Sequence, residues 1–112
     1  MKYLMFVCVD EALATPEATK DMGRDAMAWV DEMDGRGVRL QGNRLQEIST
    51  ATTVRVRGGE VVLADGPFAE TKELIAGYDL LECADLDEAI EVAGKHPVAR
   101  IGSIEVRPFA ED

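Results

Sequence analysis

At 112 residues the chain suits one domain over residues 1–112, long enough to bury roughly two-thirds of its unfolded surface without metal or disulfide staples. Its formal net charge of -10 repels phosphate backbones and anionic lipid, and its arginines are scattered among acids rather than gathered into a stripe. These features argue against nucleic acid or a membrane surface as a partner.

"YLMFVCV" (Tyr3 to Val9) is nearly all apolar and rich in aromatic and β-branched residues, the pattern of a central strand covered on both faces. It is too short to span a membrane and is followed by no small-residue cleavage site, so a cytoplasmic protein is expected. Cys8 and Cys83 each sit in an apolar strand-like run and read as reduced core residues.

A helix is expected next, with Thr15 as N-cap, Pro16 at its first position and Glu17 in its first turn. Met22, Ala26, Trp29, Val30 and Met33 share its buried face. Gly35 and Gly37 stop the helix, and "VRL" begins a strand that Gly42-Asn43-Arg44 interrupts as a turn or bulge. "TTVRVRGGEVVLA" is a hairpin with Gly58-Gly59 as its two-residue loop, Arg57 facing Glu60, and Val54 and Val56 on one face with Val61 and Leu63.

The stretch "DGPFAETKE", Asp65 to Glu73, leads from the hairpin into its partner strand "AGYDLLECA". A second helix follows, with Asp85 and Glu88 in capping-box spacing and a buried stripe of Leu86, Ala89, Ile90 and Ala93. Gly94 and Pro97 end it, and "SIEVRPF" is the last strand. The result is an α+β sandwich with helices on one face of a sheet. The other face must be covered, and a homodimer packed sheet to sheet would cover it.

Taken together, "STATTVRVRGGEVVLADGPFAETKE", "GYDLLECADLDEAIEVA" and "IGSIEVRP" closely resemble the YCII-related family, specifically the branch named for its DGPF motif; the likeness begins at "MKYLMFV" and spans nearly the whole chain. It implies a ferredoxin-like fold that dimerises into an α/β barrel, in a bacterial family often encoded near extracytoplasmic-function sigma factors and without an assigned activity. Two departures stand out. Related proteins are thought to use a His–Asp pair with its histidine on the first helix, whereas "RDAMAWVDEM" has none, and Asn43 in "QGNRL" stands where many members carry a glutamate.

Asp65 is the candidate acid–base residue, since a carboxylate ending an inner strand can be partly desolvated, although the role that comes first is to start the Gly66-Pro67 turn. Phe68 reads as a pocket wall or as a plug against the core or a dimer partner. Glu70, Lys72 and Glu73 could hold a polar group or form a solvated face, and Lys72 is the binder of the three. Arg44 and Arg55 could present guanidinium forks to a carboxylate beside Asn43, although Arg55 points away from its valine neighbours. His96 reads as a helix-end cap.

Neither the single histidine nor the scattered carboxylates has metal-ligand spacing, and no phosphate cradle is present, so no metal and no cofactor is expected. Two functions remain open. One is a dimeric small-molecule-binding protein, with or without cofactor-independent chemistry, whose pocket lies between the sheet and the DGPF loop. The other is a non-catalytic regulatory or interaction module associated with sigma-factor signalling.

Overall fold

The computed structural model describes residues 1–68 and 71–111. Its frame is a four-stranded antiparallel sheet made of β1 (Lys2–Asp10), β2 (Arg39–Arg44), β5 (Glu73–Glu82) and β6 (Gly102–Pro108), in the order β2-β5-β1-β6. Two helices, α1 (Met22–Gly35) and α2 (Leu86–Gly94), supply the helical layer. Strands β3 (Thr52–Arg57) and β4 (Glu60–Asp65) form a separate two-stranded sheet. This is a mixed α+β arrangement consistent with a ferredoxin-like fold, with the hairpin inserted between the second and third strands of the main sheet.

Strand β1 is central, as its apolar run requires, and its two faces differ. Tyr3, Met5 and Val7 are buried in the core, whereas Leu4, Phe6 and Cys8 are only half-buried on the opposite face. Residues paired across the strands share a face, so Gln41, Leu80, Leu4 and Arg107 form one row of the open face, and Asn43, Tyr78, Phe6 and Glu105 form the next. The expectation that β1 is covered on both faces holds within this chain for one face only.

The core gathers Tyr3, Met5, Met33, Leu81 and Val92 as its largest fully buried side chains. Trp29 joins it and donates its indole N–H to the Val92 carbonyl of α2 at 2.9 Å, satisfying a polar atom that would otherwise be buried unpaired. On the helices' outer surface Arg36 meets Glu91 through two hydrogen bonds of 3.0 and 2.7 Å, a forked pair joining α1 to α2.

Three local expectations are corrected. Thr15 does accept a hydrogen bond from the Ala18 N–H at 3.1 Å, but it caps only a turn; α1 begins at Met22, preceded by Asp21, which makes no side-chain cap bond. In α2 the buried positions are Ala89, Val92 and Ala93, while Leu86 and Ile90 are exposed, so the stripe is rotated towards Val92. Gly42-Asn43 does not interrupt β2, which runs through both and bulges instead between Arg39 and Gln41. Glycine is needed there because an added Cβ would lie 2.0 Å from Asp79 Oδ1.

The hairpin has the expected loop and register. Gly58 and Gly59 take φ of 60° and 79°, the left-handed pair that a tight hairpin turn demands, and Arg57 faces Glu60. The expected partnership with the following strand does not occur: β5 enters the middle of the main sheet, between β2 and β1, and the hairpin pairs only with itself. Val54, Val56, Val61 and Leu63 consequently remain exposed. No helix among the described residues is long and apolar enough to cross a membrane.

Candidate functional site

Where β1 ends, β5 begins and β2 runs out, the chain leaves a groove of about 1000 Å³. Val9, Leu74, Ile75 and Ala76 come to it from the two central strands; Leu45 and Ile48 come from the β2–β3 connection, as do the polar Glu47, Ser49 and Thr50. Arg44, the last residue of β2, and Glu11, just past β1, add opposite charges. The connection is held in place by the Leu45 N–H, which donates to the Ala76 carbonyl at 2.8 Å. Among the described residues Arg44 takes part in no ion pair, so its guanidinium is available to an acceptor.

A polar cluster adjoins this end of the sheet. Asp10 closes β1 and is 6% exposed. One of its carboxylate oxygens accepts from the Ala12 N–H at 3.0 Å, and the other lies 3.8 Å from the Lys72 ammonium. Lys72 is itself 82% exposed, and 3.8 Å is too long for a hydrogen bond, so the lysine is a loose counter-ion that a ligand could displace. Opposite Asp10 in the ladder, Glu73 accepts a hydrogen bond from the Ser103 hydroxyl. Burial, with Glu73 and Glu105 nearby, pushes the Cys8 thiol up, so Cys8 is held as a thiol and is a poor nucleophile.

Of the residues expected at a site, Arg44 lines the groove and Lys72 faces Asp10. Asn43 lies on the sheet's open face in register with Tyr78. Arg55, paired with Val62, is exposed on the hairpin. Asp65 is exposed at the hairpin's base, where the Gly66 N–H donates to the Ala51 carbonyl at 2.7 Å and the Thr53 hydroxyl donates to the Gly66 carbonyl at 2.8 Å. These bonds fix the start of the DGPF turn. Phe68, 78% exposed, is no plug in this chain's core. Glu70 lies outside the described residues. Asp10 is a site residue that the sequence signals only as an acid ending an apolar strand, and Cys8, expected in the core, is half-buried on the sheet's open face. Among the described residues no group of three or more His, Cys, Asp or Glu side chains is placed to hold a metal ion.

His96 does not take the expected cap at the C-terminus of α2, where Lys95 stands instead; its Nδ1 accepts from the Val98 N–H at 3.1 Å, at the start of the short 3₁₀ turn Pro97–Arg100. Burial holds its pKa down to about 4.

Over its whole length the chain superposes on 96% of 5-chloro-2-hydroxyhydroquinone dehydrochlorinase (TftG) from Burkholderia phenoliruptrix AC1100, solved in complex with 2,5-dihydroxybenzoquinone, with a TM-score of 0.58 at 11% identity. That likeness is one of fold alone. An uncharacterised protein of Rhizobium meliloti (strain 1021) is 48% identical over 69 residues, a match covering 60% of this chain and 56% of that protein. The family model of the YCII-related domain matches residues 1–111, and the chain belongs to the YCII-related family.

Proposed function

We propose that the protein is a homodimer of the family's DGPF branch, joined as a ferredoxin-like α/β barrel, that binds a small molecule in the groove at the ends of β1, β2 and β5. The groove carries the reading: its size, its apolar strand walls and an Arg44 without an ion-pair partner among the described residues suit a ligand with an apolar body and an acceptor group. A fold neighbour solved in complex with 2,5-dihydroxybenzoquinone supports a small-molecule ligand by analogy.

Surface area supports the dimer. The chain exposes 7695 Å², where a compact monomer of its mass exposes about 6,100 Å². Its radius of gyration of 15.8 Å likewise exceeds the ~13 Å of a compact domain this long. The excess lies in a hairpin whose valines and Leu63 face solvent and in a half-covered sheet face, both suited to burial against a second copy. In this reading Arg44 and Lys72 meet the ligand from the sheet end, with Asn43 on the adjoining open face. Asp65, Arg55 and Phe68 come from the hairpin arm of the second copy. Asp10, with its loose counter-ion, joins Asp65 as a carboxylate placed to exchange a proton.

A thermal-shift screen of small carboxylates and phenols provides the ligand, and a mixing experiment then tests the site. Arg44→Ala and Asp65→Asn should each abolish binding alone. Refolded together in equal amounts they should regain about a quarter of the wild-type sites, because half of the dimers are mixed and each mixed dimer holds one intact site. Recovery of nothing, or binding by either variant alone, contradicts the shared site. A second reading, a non-catalytic interaction module, is favoured by the exposed Val54, Val56, Val61, Leu63 and Phe68 and expects a screen without ligands.

A further inference from the structure

Separate in its lining from the strand-end groove, an open pocket of about 340 Å³ lies between α1 and the turn after α2, lined by Asp25 and Ala28 from α1 and by Gly94 through Pro97 and Arg100. His96, only 7% exposed, is the buried polar group in it. Its Nδ1 accepts from the Val98 N–H, so in the neutral ring the proton sits on Nε2. Among the described residues Nε2 has no hydrogen-bond partner, and no buried side-chain nitrogen or oxygen is left unsatisfied, so Nε2 keeps some contact with solvent; the ring packs against Trp29, with centroids 4.8 Å apart, and His96 lines the pocket.

The other polar groups differ in how far they are committed. Arg100 donates through Nε to the Pro97 carbonyl at 3.2 Å and through Nη2 to Asp25 at 3.0 Å, which among the described residues leaves Nη1 free. Asp25, the pocket's one acid, is occupied by that pair, and Lys95 is drawn off to Glu32 at 2.9 Å and Glu91 at 3.4 Å. What remains unsatisfied is a set of donors on a small apolar floor of Ala28, Gly94 and Pro97.

We propose that this pocket is a second binding site, for a small carboxylate, held by the Nε2–H of His96 and the free Nη1 of Arg100. A pocket at the lower end of the usual ligand range suits a compact acid rather than an extended one. A carboxylate also matches a fixed N–H beside a guanidinium better than a neutral acceptor does. His96 acts here only as a donor, because its one lone pair is already used by the backbone.

The chain contains a single histidine, so an untagged, nitrogen-labelled sample gives one imidazole spin system, read by long-range proton–nitrogen correlation at pH 7. The free protein should show the Nε2–H tautomer. Sodium acetate and sodium benzoate should shift Nε2 saturably, with sodium chloride at equal ionic strength giving no saturation. Arg100→Gln should weaken that response at least tenfold while the unliganded spectrum stays as in wild type, whereas Arg44→Ala should leave it unchanged. The Nδ1–H tautomer, a drift no different from chloride, or an unaltered response in Arg100→Gln overturns the proposal.

Discussion

Replacing Gly42 by alanine should be among the most damaging single-methyl changes the chain can suffer. The added Cβ would lie 2.0 Å from Asp79 Oδ1, 2.7 Å from its Cγ and 2.8 Å from the Tyr78 carbonyl oxygen, whereas real Cβ contacts essentially never fall under 3.0 Å. Asp79 has little freedom to retreat. It is 6% exposed, and its Oδ1 accepts from Arg39 Nε at 2.8 Å, while Arg39 also donates to Asp34 at 3.1 Å.

Burial pushes the Asp79 carboxyl up while Arg39 pulls it back down, so the carboxylate depends on a partner that the methyl group would displace. Overpacking alone costs about 1–3 kcal/mol, and loosening a buried ion pair adds to it. We expect a loss of about 3 kcal/mol, which in a domain of this size lowers the melting temperature by roughly 10–15 °C. Urea denaturation at fixed protein concentration measures it. In an Asp79→Ala background the nearest obstacle is gone and the same methyl meets chiefly the Tyr78 carbonyl, so its cost should fall by about 1 kcal/mol or more. A Gly42→Ala protein within 0.5 kcal/mol of wild type, or no coupling between the two changes, would refute the close-approach argument.

His96 has a folded pKa of about 4 against an ordinary 6.5, so between those values the unfolded chain binds the extra proton. Stability should therefore be lost as pH falls from 6.5 to 4, by about 3 kcal/mol. His96→Asn, which keeps an acceptor for the Val98 N–H, should flatten that part of the profile in denaturant titrations. Asp85→Ala removes the carboxylate that accepts from the Glu88 N–H at 2.9 Å and should cost about 1 kcal/mol by the same assay. Val56→Lys with Val61→Lys alters only side chains exposed in the single chain; circular dichroism should be unchanged while sedimentation shows dimers giving way to monomers.

The hairpin was legible because its information is local: two adjacent glycines and alternating valines specify loop and register together. The α2 cap was legible for the same reason, and Glu88 does reach back, to the Ala84 N–H at 2.9 Å. Thr15-Pro16 misled because a lone capped turn and a helix start carry the same local signal. Gly42 misled because its reason is Asp79, 37 positions along the chain, and the direction of β5 depends on which strands compete for its edges. The site was harder still. Its groove draws on the ends of β1, β2 and β5 and on a connecting segment, and only Arg44 and Lys72 announced themselves as single residues. Asp10 earns its interest from burial beside Lys72, a pairing across the fold that spacing does not encode.

A crystal structure grown with the compound that gives the largest thermal shift tests the central claim most directly. The compound is expected in the groove beside Arg44, in a homodimer whose hairpin arms bring Asp65 of each chain to the site of the other. A compound bound away from Arg44, or a groove occupied in a chain whose hairpin touches no second copy, would contradict the account.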